Sequence, residues 1–143
     1  LLRAEADSGD LARAGARVRL DRQLAHAGAG AALRGGHEID RAFVRCARIL
    51  TEGGARTVLA TDDPRLIEIA GALAARCDGP PPRHEFRLGL VGSQAADLAD
   101  TGVGVSVLVP YGAGWPAYVM RHVPARPASL ATAVRAAFGG ETG

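Results

Sequence analysis

Tyr118 and Arg121 are the residues of this chain whose types and spacing could hold a small organic acid. An arginine offers a planar fork of donors that matches a carboxylate. Tyr118 lies three residues before Arg121 and shares its helical face, where a phenol ring could cover an apolar substrate ring. Tyr111 stands a little earlier, in a loop. Arg121 and His122 also suit a solvated helix end, where cations favour the dipole, and spacing alone leaves both readings open.

These residues need a strand, a tight loop and a helix to position them. Val105-Ser106-Val107-Leu108-Val109 is a β-branched, alternating run, Pro110-Tyr111-Gly112 is a turn, and an amphipathic segment follows from Trp115. Ligands of parallel α/β proteins bind where the carboxyl ends of strands meet the following helices, which is where these side chains fall.

The same grammar recurs upstream. Residues 2–14 read as a helix closed by Gly15, and residues 16–20 alternate as a strand. From 37 to 51, Ile39, Phe43, Cys46, Ala47 and Leu50 form one apolar stripe that Gly53-Gly54 stops. Residues 57–61 are a short apolar strand. Asp62 or Asp63 then caps a helix with Pro64 at its first position, and Leu66, Ile67, Ile69, Ala70 and Leu73 make its buried face. Residues 78–83 are a proline-rich loop, and 84–90 read as the next strand. Ser93 caps a short helix carrying Ala96 and Leu98, and a last short helix is expected at 129–138. Strands near Val18, Val58, Phe86 and Val107, each followed by a helical pattern, predict an α/β fold of parallel βα units.

At 143 residues and 14.7 kDa, 1–143 is one domain, and 48% apolar residues give it a globular composition. A net charge of +2, evenly spread, argues against nucleic acid or an anionic membrane as partner. Cys46 and Cys77 are far apart and lack metal-type neighbours, Cys46 falls on a packing face, and His26 and His37 have no Cys or carboxylate cluster, so no metal is expected. With no signal peptide and no apolar run long enough for a bilayer, the expected compartment is cytoplasmic. The first residue is Leu, already inside a helical pattern, which suggests that upstream sequence precedes it.

Several of these segments resemble the proline dehydrogenase family, flavoenzymes that oxidise proline. Val109-Pro110-Tyr111-Gly112, then Trp115, Tyr118, Met120-Arg121 and Arg126-Pro127-Ala128, resemble the family's C-terminal end. Ala60-Thr61-Asp62-Asp63-Pro64-Arg65-Leu66-Ile67 resembles its Ala-Thr-His-Asp strand-to-helix turn. Arg19-Leu20, Glu38-Ile39-Asp40 and Glu85-Phe86 match three further segments in the right order.

The resemblance implies the C-terminal half of a (β/α)8 TIM-type barrel and FAD-dependent oxidation of L-proline to pyrroline-5-carboxylate. It places Arg19 near the flavin N5, where a donor stabilises reduced flavin, with Thr61, Asp62 and Glu85 on the cofactor side. It places Tyr118, Arg121 and His122 on the substrate carboxylate, with a membrane quinone as candidate electron acceptor. On pattern alone Arg19 is equally an outward strand arginine.

The chain also departs from the family. Gln23 and Ala25 replace a Gly and a Tyr beside the flavin, Asp62 stands where the family has His, and Arg87 replaces a Gln. Gly89 replaces a Leu that faces the substrate, His122 replaces a second arginine, and Ala125 replaces a Glu. These changes support an alternative, a catalytically inactive, truncated remnant without flavin. Four βα units leave two sheet edges open, which a missing N-terminal half or self-association with a second copy would complete.

Overall fold

The computed structural model describes residues 3–22, 35–87 and 93–114. Its elements alternate: α1 Ala4–Arg13, β1 Arg17–Asp21, α2 Gly36–Glu52, β2 Arg56–Ala60, α3 Pro64–Ala74, β3 Arg83–Arg87, α4 Gln94–Asp100 and β4 Val105–Leu108. The four strands form one sheet in the order β1-β2-β3-β4, every neighbouring pair parallel. The expected α/β fold of four parallel βα units is therefore present.

A sequential parallel order with right-handed crossovers puts every connecting helix on the same side of the sheet. The buried side chains agree. Leu20, Leu59 and Phe86 point to the helices, and Phe86, Leu59, Leu50 and Cys46 are the largest fully buried side chains. Each of the first three apolar groups stabilises the fold by about 2–3 kcal/mol through burial. The opposite face carries Arg17, Arg19 and Asp21 of β1 and Arg83, Glu85 and Arg87 of β3, because alternate residues of a strand face opposite ways.

The first two helices end alike. Gly15 at φ 62° and Gly54 at φ 71° take the left-handed conformation that L side chains resist. The next amide then reaches back to a carbonyl of the last turn, Ala16 N–H to Leu11 at 3.0 Å and Ala55 N–H to Leu50 at 2.9 Å. This arrangement reverses the chain into a strand within two residues. It also lets α1 lie against α2, where Glu5 accepts from Arg45 at 2.7 Å and a β-carbon on Gly53 would come within 2.6 Å of Ala12.

Three sequence expectations need correction. In α3, Leu66, Ile67 and Ala70 are buried, while Ile69 is 40% exposed. At about 100° per residue Ile69 falls well round the helix from the centre of that stripe. Ser93 precedes α4 but makes no side-chain cap, and the buried residue of that helix is Ala95, with Leu98 half-buried and Ala96 exposed. β1 runs one residue further than the alternation suggested, so Asp21 ends the strand and Arg22 N–H still reaches the Ala60 carbonyl at 3.3 Å. The strand expected at 84–90 is described as far as Arg87, and the helices expected after Trp115 lie outside the described residues.

His84 is the one buried side chain among the described residues with a fully buried polar atom left unpaired. It sits beside Phe86 on the helix side of β3, 2% exposed, and its Nδ1 has no hydrogen-bond partner. Burial pushes its imidazole below its usual pKa.

Candidate functional site

The carboxyl ends of the strands gather charge on the open face. The register sets Asp21, Ala60, Glu85 and Ser106 side by side across all four strands, with Arg87 beside Leu108 one step further on. Ala60 is the smallest hydrophobic side chain in that row. Its short side chain lets Arg19 reach across β2 to the carboxylate on β3.

Arg19 donates to one oxygen of Glu85 from Nε at 2.9 Å and from Nη2 at 2.6 Å. Its Nη1 donates to Asp21 at 2.7 Å. The two carboxylates, Glu85 foremost, raise the guanidinium above its ordinary pKa and fix it as a permanent cation. Among the described residues three of its five N–H groups are engaged, and the side chain lines the space between the strand ends.

A shallow crevice follows from these placements, lined by Arg19, Ala60, Thr61, Asp62, Glu85 and Arg87. Arg87 Nη2 lies 4.0 Å from Asp62. Thr61 is buried, and its hydroxyl oxygen accepts from Asp63 N–H at 3.2 Å, so it shapes the turn as it lines the crevice. Three carboxylates, Asp21, Asp62 and Glu85, meet two guanidiniums, Arg19 and Arg87.

The turn into α3 is fixed by Asp63, not Asp62. The Asp63 carboxylate accepts from the Arg65 backbone N–H at 3.0 Å and from the Arg65 guanidinium at 2.8 Å and 3.2 Å. The Arg65 side chain is the first reason that the Asp63 carboxyl is held below the usual carboxylate range. Capping by Asp63 leaves Asp62 on the crevice side. The rim continues through Arg22, which donates to Asp40 of α2 at 2.6 Å and so ties the end of β1 to the first turns of α2.

The structure thus brings together four of the sequence-nominated residues, Arg19, Thr61, Asp62 and Glu85. Tyr118, Arg121 and His122 lie outside the described residues, and Tyr111, at the mouth of the loop after β4, is 90% exposed. Asp21 and Arg87 were not nominated. Period-two alternation from Arg19 and from Glu85 would have placed both on the same face. Arg22 with Asp40 joins positions eighteen residues apart, and no local pattern marks that pair. Among the described residues no group of three or more His, Cys, Asp and Glu is placed to hold a metal ion, and no helix is long and apolar enough to cross a membrane.

No family model matches the chain. Proline dehydrogenase 1 of Bacillus subtilis (strain 168) is 35% identical over 80 residues, which are 54% of this chain and 26% of that protein. Proline dehydrogenase 2 of Bacillus subtilis subsp. natto is 27% identical over 100 residues, 68% of this chain and 33% of that protein. The chain thus has a distant, partial similarity to these enzymes, and the match spans about a quarter to a third of their length.

Proposed function

We propose that the chain is one part of a proline dehydrogenase-like domain, residues 1–143 being the second half of a (β/α)8 barrel that oxidises L-proline to pyrroline-5-carboxylate with FAD. The observation that carries this reading is the convergence of Arg19, Asp62 and Glu85 at the carboxyl end of a parallel sheet, in a chain similar to two proline dehydrogenases. The donor set suits a flavin ring. Arg19 is a permanent cation whose guanidinium would serve as donor to an electron-rich ring edge, and Thr61, Asp62 and Glu85 line the same crevice. When bound, the flavin would take up the hydride from proline.

The chain's own residues would orient and charge-balance the reactants. Glu85 and Asp21 hold the Arg19 guanidinium across the sheet, so a donor aimed into the crevice needs no rearrangement. Arg121 with Tyr118 would hold the substrate carboxylate and cover the ring, and His122 would help as a second cation below its ordinary pKa of about 6.5. A membrane quinone is the proposed electron acceptor, and either an N-terminal half or a second copy would close the open sheet edges.

A second reading is favoured by one observation. Asp62 lines the crevice where the resemblance places a histidine, so a carboxylate stands in place of an imidazole donor beside the negative charge of a reduced flavin. This supports a non-catalytic relative that keeps the fold and has lost the cofactor. Visible spectra of the purified chain with added FAD, before and after L-proline, separate the two. A retained flavin band that bleaches with proline supports the dehydrogenase. A protein that retains no FAD at saturating flavin, alone and after addition of the N-terminal half of a proline dehydrogenase barrel, refutes it and leaves the second reading.

A further inference from the structure

The amino end of the same open face holds a second concentration of charge, of one sign only. Arg17 of β1 and Arg56 of β2 are register partners on adjacent parallel strands. Like charges placed side by side in a sheet destabilise it. Neither guanidinium has an ion-pair partner among the described residues, in contrast to Arg19, which Glu85 and Asp21 neutralise.

These two arginines open onto a groove of about 540 Å³ walled by Arg19, Val58, Pro80, Pro81 and Arg83. That size is in the range of small-molecule sites. Among the described residues no carboxylate lines it. Arg83 adds a third guanidinium held in place: its Nη2 donates to the Val105 carbonyl at 3.5 Å, and its stem lies so close over Gly104 that a β-carbon there would meet it at 3.0 Å. The two prolines have no backbone N–H to offer and form a rigid apolar wall, so the polar recognition in this groove is cationic. Arg19 lines both this groove and the crevice, with its guanidinium held by Glu85 and Asp21 toward the carboxyl ends, while Arg17 and Arg56 stand at the amino ends of their strands.

We infer that this groove binds a small oxyanion of the phosphate class, with Arg17 and Arg56 as its paired ligands. Adjacent strands stand about 4.8 Å apart, so two guanidinium forks can converge on neighbouring oxygens of one diphosphate. The bound anion removes the repulsion between the two arginines, so binding and folding stability rise together. No redox chemistry at the opposite end of the sheet is required.

Sodium pyrophosphate, titrated into the 143-residue chain against sodium chloride at matched ionic strength, tests this. The expected result is a saturable rise of the thermal midpoint that chloride does not reproduce. Arg56→Gln should bind pyrophosphate about tenfold to a hundredfold more weakly, the loss of one charge-assisted anchor. Without anion its midpoint should be no lower than the parent's, since one of two facing cations is gone. Arg17→Gln should show the same loss, and Arg87→Gln at the other end should titrate like the parent. An equal rise in chloride, or a response lost in Arg87→Gln and kept in Arg56→Gln, would overturn the assignment.

Discussion

If Glu85 is what holds Arg19 across the sheet, the two side chains must be energetically coupled, and a double-mutant cycle measures that coupling. Arg19→Met keeps the stem and removes the guanidinium, and Glu85→Gln keeps the shape and removes the charge. The pair makes two hydrogen bonds, at 2.9 Å and 2.6 Å, to one carboxylate oxygen. A hydrogen bond to a charged group contributes about 1.5–3 kcal/mol when shielded. Here the Glu85 side chain is 16% exposed but that of Arg19 is 42% exposed, so solvent screening takes away much of that amount. The expected coupling is about 1–2 kcal/mol, read from urea unfolding of the parent, both single variants and the double variant, provided the slope of each transition is unchanged. Arg19→Met also loses the Asp21 contact, but that term is common to both legs of the cycle and cancels. A coupling under about 0.3 kcal/mol, the scatter expected of independent sites, would refute the claim that Glu85 positions Arg19.

Two further predictions concern folding. The folded-state pKa of His84 is lowered by burial, so below about 6.5 the unfolded chain takes up a proton that the native chain refuses. Its contribution to stability is therefore complete above pH 6.5 and falls away as the pH drops through the folded value. Urea midpoints at pH 8 and 5.5 should differ clearly in the parent and much less in His84→Leu, and an equal difference in both would exclude His84 as the source. Removing the cap of α3 with Asp63→Ala should cost about 1–2 kcal/mol, and Asp63→Asn should restore most of it, since the amide oxygen can still accept from the Arg65 N–H. A cost in Asp63→Asn equal to that in Asp63→Ala would shift the weight from the cap to the Arg65 ion pair.

The layout of the sheet was legible because its signals are local. The apolar stripe ending in Leu50, the Gly54 stop, the Asp63-Pro64 start and the β-branched runs each declare an element within a dozen residues, and α2, α3 and β2 lie where they were expected. What alternation reports less well is where a strand stops. The expected strand ended at Leu20, yet on the helix-free face the charge of Asp21 is no obstacle to the ladder. Ile69 misled for a related reason, since hydrophobic type alone does not tell the centre of a stripe from its flank. At the site, Arg19 was nominated by the family resemblance and left open by pattern, since its partner is 66 positions away, and only the register of three strands makes them neighbours. Arg17 and Arg56 were ordinary strand arginines until the same register set them side by side.

The strand order has a consequence for how such a chain can be assembled and cut. Every strand pairs only with its neighbours in sequence, and α2, α3 and α4 each bridge such a pair. The sheet therefore behaves as a zipper of successive modules, in which folding can proceed tooth by tooth with short loop closures. Severing it between two modules sacrifices one seam and leaves the remainder paired. A gene encoding such a protein can be split or spliced at those seams and still specify a foldable sheet, and each seam exposed in this way is a fresh edge for a complementary piece to join.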